Sequence, residues 1–192
     1  VRLNLINMKS RVEAMRALIY YTAFEFDLER IAETEDEKEL RQNMIDLLTP
    51  MCKGWCTEVG LEVVQTGLQV MGGVGYTKDF PLEQLYRDAR ISTIYEGTTD
   101  IQALDLIGRK ILRNDGALFQ LLMGHFSELI KEHKGHEEMG QLINIFEGYC
   151  ESLYETSMST QEILKERGME SIALYATPFL MFISSVTAGW LL

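Results

Sequence analysis

Cysteine is scarce, with Cys52, Cys56 and Cys150 the only three in 192 residues. An odd count without a regular framework excludes a disulfide-stapled domain. It points to reduced thiols and a cytoplasmic, cytosol-like compartment. Cys52 and Cys56 lie four apart and share a helical face, but two thiols fall short of the four ligands of structural zinc. The histidines (His125, His133, His136) stand far off in sequence. Core thiols are therefore expected, and no metal site. Proline is equally rare, three in all, which permits long helices. Basic charge is outweighed, 18 Lys plus Arg against 29 Asp plus Glu for a net −11. That balance argues against nucleic acid or an anionic membrane as the main partner. Convincing period-2 alternation with strand composition is absent, and so is any internal repeat.

What is present is helical periodicity in an ordinary globular composition, 46% hydrophobic and 24% charged. Leu3, Ile6, Ala14, Ala17, Leu18, Tyr21, Phe24, Leu28 and Ile31 recur mostly at steps of three and four, one apolar stripe of a long first helix. The acidic run from Ala32 reads as a solvated turn leading into the polar start of the next helix. That second pattern runs from about Glu37 to Met71, with Thr49-Pro50 expected to divide it, since proline suits a first turn better than an interior. Gly72 begins "GGVGY", a glycine C-cap signal. A short helix is expected after Pro81, another from about Asp100 to Leu112, and a stop at "RNDG", 113–116. Three more follow: about Ala117 to Lys134, Glu137 to Lys165 and Met169 to Trp190. The fold class is all-α: an up-and-down helical bundle over 1–114 and a helical extension over 115–192.

Residues 171–192 carry no charge over 22 positions, enough to span a bilayer. Pro178, Gly189, six hydroxyl residues and the lack of a flanking Lys/Arg cluster favour a helix buried between others. The first residue is Val1, inside a helical pattern, so the expectation is a piece of a longer protein.

Two short segments invite a chemical reading. In "IYEGTTDIQ", Thr99-Asp100-Ile101-Gln102 fits a capping box. That puts Gly97 and Thr98 at a helix mouth, where free N–H groups favour negative charge. Glu96 just before them is either a solvated loop acid or a base held against a ligand. In "QVMGGVGY" the glycines end a helix instead of following a strand, so the dinucleotide-fingerprint context fails. A C-cap with turn remains, or a backbone surface for a flat ligand.

Taken together, Gln69 to Tyr76, Tyr86 to Arg90, Ile94 to Thr98 and Ile101-Gln102 closely resemble, in order and spacing, the signature of the acyl-CoA dehydrogenase family. The resemblance covers about Val1 to Leu112, the family's C-terminal helical domain. The rest looks like the extra helical domain of a longer subgroup that includes 3-methylmercaptopropionyl-CoA dehydrogenases. It implies Glu96 as the base that removes the α-proton of an acyl-CoA thioester while hydride passes from the β-carbon to FAD. Tyr95 and Gly97 would line the substrate side. Thr98 and Asp100 would contact FAD, and Gln69, Gly72 and Gly73 the FAD of a neighbouring subunit in a homodimer or higher homo-oligomer. Asp100 stands where some relatives have Gln. Arg87 and Arg90 would be structural, pairing with carboxylates such as Asp88. Electron-transfer flavoprotein is the family's default electron acceptor. Acyl-CoA oxidase and a non-catalytic oligomerisation module are the alternatives.

Overall fold

A computed structural model describes residues 1–112 and 116–192. Seven α-helices account for most of it: α1 (Arg2–Ile31), α2 (Glu35–Met71), α3 (Leu82–Ser92), α4 (Thr99–Asp105), α5 (Ala117–His133), α6 (Gly140–Arg167) and α7 (Met169–Trp190). A 3-10 turn (Gly72–Tyr76) follows α2, and a π-helical turn (Leu106–Ile111) extends α4. No strand occurs among the described residues, so the all-α expectation holds. Most of the "RNDG" stop lies outside the described residues.

α2 starts where the acidic run becomes useful. Thr34 Oγ1 accepts from the Glu37 N–H and Glu37 Oε2 accepts from the Thr34 N–H, a reciprocal cap on two otherwise unpaired donors. Glu35, Asp36 and Glu37 set negative charge against the positive end of the helix dipole.

Two expectations need correction here. Pro50 does not divide α2, which runs unbroken through it for 37 residues. An interior proline costs about 3 kcal/mol. Leu47, Leu48 and Met51 around it are fully buried, and each contributes about 1.5–3 kcal/mol, so packing outweighs the break. The apolar stripe of α1 is also only in part its buried face. Ala14, Leu18, Thr22 and Glu25 are buried, whereas Leu3, Ile6, Phe24 and Ile31 are all more than half exposed.

Pattern reading passes over Glu25 because it is charged. Its carboxylate meets the Arg41 guanidinium at 3.3 Å across the α1–α2 hairpin and the Tyr21 hydroxyl from its own helix. Burial first, and then the Glu25 carboxylate, push the Tyr21 phenol up.

The core is one cluster shared by both halves of the chain. Leu18 of α1, Met51 and Trp55 of α2, Leu106 and Ile107 of the π turn, Phe119 and Phe126 of α5 and Leu180 and Ile183 of α7 all belong to it. α7 is the one described helix long and apolar enough to cross a membrane by length and composition. It packs within the bundle, with nine residues buried. Gly54 admits it: a Cβ there would meet Leu180 Cδ2 at 2.8 Å. Trp55 Nε1 donates to Ser185 Oγ at 3.1 Å on the same contact. Cys56 and Cys150 are buried and Cys52 half-buried. Burial, then Glu147 and Glu151, push the Cys150 thiol up to about 12, as suits an inert core thiol.

One ion pair ties α2 to the π turn. Lys110 Nζ lies 2.6 Å from Asp46 Oδ2, and Gln42 Nε2 donates to Asp46 Oδ1 at 2.7 Å. Burial pushes the Asp46 carboxyl up, but these donors outweigh it and hold it below its ordinary value. A carboxyl depressed by folding stabilises above its unfolded pKa, near 4, and loses that contribution as pH falls through the folded value. Urea midpoints measured between about pH 6 and pH 3 should therefore fall less steeply for Asp46→Asn than for the parent. Parallel curves would rule the pair out as a source of acid sensitivity.

Candidate active site

The site is the loop between α3 and α4. α3 ends at Ser92, with the Ile94 and Tyr95 N–H groups both donating to the Ile91 carbonyl. The chain then turns through Glu96 at φ +53° and Gly97 at φ +94° before α4 begins. Glu96 is the one non-glycine residue with positive φ among the described residues. Such a conformation costs of order 1–3 kcal/mol and persists only where the surroundings fix it. Gln102 supplies part of that, its Nε2 donating to the Glu96 carbonyl at 3.3 Å. Gly97 is favoured by its positive φ, and a Cβ there, 2.9 Å from Gln102 Nε2, would displace the side chain that holds the Glu96 carbonyl.

The cap falls one residue earlier than expected. Thr98, in extended backbone, accepts from the Ile101 N–H. Thr99 is buried instead, and its hydroxyl donates to Glu58 Oε1 of α2 at 2.5 Å. The periodicity of α4 turns Thr99 inward and leaves Thr98 exposed. Gln102 correspondingly reaches the Glu96 carbonyl, not the backbone N–H of a capping box. Asp100 is committed within the chain: its Oδ1 accepts from Thr177 Oγ1 of α7 at 2.5 Å. Arg87 pairs with Glu83 at 2.9 Å and Arg90 donates to Thr93 Oγ1, so neither arginine uses Asp88.

Glu96, Tyr95 and Ile94 are exposed, Tyr95 by 51%. The N–H groups of Glu96, Gly97 and Thr98 donate to no backbone carbonyl among the described residues. The loop thus presents a carboxylate and an aromatic ring outward and holds three N–H groups without a backbone acceptor, while its two ends are anchored inward.

The second segment stands apart. Gln69, Gly72 and Gly73 line a separate cleft of about 480 Å³ with Leu68, Tyr76 and Tyr86. α3 lies between the two segments in the chain, 11 residues or about 16 Å long. Gly72 ends α2 at φ +66°, its N–H reaching the Leu68 and Gln69 carbonyls, which is the glycine C-cap expected. Gly73 has no positive φ, and a Cβ there would meet nothing within 4 Å. Nothing inside this chain demands glycine at 73, and its backbone is open to an outside group. Exposed Gln69 and bare backbone at Gly73 in this cleft, and exposed Thr98 at the mouth of α4, each leave room for the edge of a large flat cofactor such as FAD.

Four side chains that hold the loop carry no sequence signal: Lys53, Glu58, Thr177 and, in its actual role, Gln102. Three reach from α2 or α7 over separations of 39, 41 and 77 residues, which no local pattern encodes.

A helical bundle with a glutamate set in a positive-φ turn before a capped helix defines the class, and sequence comparison gives its family. The family "Acyl-CoA dehydrogenase, C-terminal domain" matches residues 1–112, and the chain belongs to the acyl-CoA dehydrogenases. More particularly, it is 36% identical over 194 residues to the 3-methylmercaptopropionyl-CoA dehydrogenase of Ruegeria pomeroyi, covering 99% of this chain and 32% of that protein. It is 31% identical over 201 residues to a broad-specificity linear acyl-CoA dehydrogenase of Mycobacterium tuberculosis, covering 100% and 32%. The chain therefore spans about a third of the length of these relatives. Among solved structures, the Caenorhabditis elegans protein ACDH-11 in complex with C11-CoA superposes with a TM-score of 0.76 at 22% identity, over 98% of this chain and 31% of that one. That likeness is one of fold.

Proposed function

We propose that this chain is the C-terminal part of a cytoplasmic, FAD-dependent acyl-CoA dehydrogenase that introduces an α,β double bond into an acyl-CoA thioester. Residues 1–114 form the flavin-facing bundle, and 115–192 form an extension packed against it. The carrying observation is Glu96, held in a costly positive-φ turn with its carboxylate outward. A solvated loop acid needs no such conformation.

Glu96 takes the α-proton of the thioester. The Glu96 backbone N–H is this chain's donor for the enolate oxygen, beside a ribityl hydroxyl that bound FAD would supply, where negative charge grows. Tyr95 and Gly97 bound the substrate side. FAD, when bound, supplies the hydride acceptor. Thr98 at the mouth of α4 and Gln69, Gly72 and Gly73 at the end of α2 are its contacts, the latter three on the flavin of a neighbouring copy. Asp100 is a weaker cofactor contact, because its carboxylate already accepts from Thr177. The exposed apolar residues of α1, among them Leu3, Phe24 and Ile31, support burial against further protein in a homo-oligomer. Electron-transfer flavoprotein is the proposed acceptor of the electrons.

The test is anaerobic mixing of the full-length flavoprotein with butyryl-, octanoyl- or palmitoyl-CoA. Bleaching of oxidised flavin is expected with at least one of them. A flavin spectrum unchanged by all three would overturn the reading. The isolated 192 residues should show no turnover and only weak FAD binding, as a site open to water on one side implies.

A further inference from the structure

We propose that Lys53 is a positioning residue for the Glu96 loop, an inference that rests on Glu96 acting as the base. Lys53 sits on α2, and its half-buried side chain borders an apolar groove with Ile19, Leu61, Val64 and Ala89. Its ammonium group makes two contacts at the entry to the loop. Nζ donates to the Ser92 carbonyl at 2.6 Å, and it lies 5.2 Å from the centroid of the Tyr95 ring.

Both contacts are chemically apt. Ser92 is the last residue of α3, so its carbonyl is one of the helix's unpaired acceptors and lies at the negative end of its dipole. A cation there both caps the helix and fixes the direction in which the chain leaves it. Tyr95 immediately precedes Glu96 and is half exposed. Held by the cation over its face, the ring cannot swing freely and carry the Glu96 backbone with it.

The far end of the loop is tied by Gln102 to the Glu96 carbonyl, by Glu58 to Thr99 and by Thr177 to Asp100. Lys53 is the corresponding tie at the near end. Without it, the near end keeps the ties of its own turn, the Ile94 and Tyr95 N–H groups on the Ile91 carbonyl and Arg90 on Thr93, but loses this tie to α2, and positive-φ conformations persist only when over-determined. Lys53 belongs neither to the Gln69–Tyr76 segment nor to the Ile94–Thr98 segment, and it precedes the loop by 39 residues or more.

The experiment compares Lys53→Met and Lys53→Arg in the full-length flavoprotein, using the most active of the three acyl-CoA probes. Lys53→Met keeps an apolar stem and removes the cation. It should slow flavin reduction about 10²-fold, the scale of an ångström-sized misplacement of a reacting group. KM should change much less than the rate, because Lys53 itself bounds no substrate and reaches that surface only through Tyr95. Lys53→Arg keeps charge, donor and ring contact and should recover most of the rate. A normal reduction rate in Lys53→Met would overturn the proposal. So would equal losses in the two variants, or a loss explained by missing flavin or lower helicity. Glu96→Gln, run alongside, separates two failures. If it abolishes reduction while Lys53→Met is normal, only the role of Lys53 falls. If Glu96→Gln reduces flavin normally, the base assignment falls first.

Discussion

Glu96→Gln in the full-length flavoprotein is expected to slow flavin reduction by acyl-CoA by about 10²–10⁴-fold, the range ascribed to a positioned general base. Glutamine has the same length and branching, and the Glu96 carbonyl would still accept from Gln102 Nε2. The free N–H groups of the loop would also remain. What disappears is the capacity to accept a proton from carbon, so the loss belongs in the reduction rate. Affinity for acyl-CoA should stay within about threefold, since an interaction made only in the transition state lowers kcat and kcat/KM together. Stopped-flow measurement of flavin absorbance reads both quantities. Bleaching at the parent rate would remove Glu96 from the chemistry and return the loop to a structural role. Peroxide formed in step with turnover in the parent enzyme would instead favour an oxidase, which uses the same base and differs in where the electrons go.

The second large effect is on stability. Phe126→Ala should destabilise the fold by about 3 kcal/mol, the lower end of the range for a buried phenylalanine. Phe126 is fully buried, with its ring 5.5 Å from Phe146 and 5.7 Å from Trp190. It thereby joins α5 to both α6 and α7. The ring also borders a cleft of about 490 Å³ between α5 and α6. Truncation would join the new space to that open cleft, so water enters and no sealed void remains. That is why the lower end applies. For a chain of this size the change corresponds to roughly 6–12 °C in melting temperature. Leu142→Ala is the control: Leu142 is 65% exposed, and its replacement should alter stability by no more than about 0.5 kcal/mol. A calorimetric trace in which the two variants melt together would contradict the assignment of the core.

Phe24 and Glu25 show where sequence reading stops. Period-3.6 counting finds that α1 is a helix, because the apolar stripe is real. It cannot say which part of the stripe meets the protein, since Ala14 and Leu18 are buried while Leu3, Phe24 and Ile31 are left exposed. The buried face holds a threonine and a glutamate that hydropathy ranks as surface residues, and Glu25 is tolerated only because Arg41, on another helix, meets it. Pro50 teaches the same lesson from the opposite side. Its local rule predicts a break, and the packing of Leu47, Leu48 and Met51 overrides it.

In the site, the Glu96-Gly97 turn and the helix start after it were legible to within one residue. Glycine tolerance, capping chemistry and family spacing are local properties of the chain. The cap position was misread because Thr98 and Thr99 are chemically equivalent. Only the presence of Glu58 opposite one of them separates the two roles.

The sequence by itself thus determined the helical class, the approximate extent of the helices and the Glu96-Gly97-Thr98 turn, all set by interactions within a few residues. The tertiary structure decided which faces are buried, that α2 continues through Pro50, that α7 is an interior helix of the bundle, and that Lys53, Glu58 and Thr177 hold the loop. Those depend on contacts between helices, from 16 residues apart for Glu25 and Arg41 to 77 for Asp100 and Thr177, whose energies act only once the chain has brought the helices together.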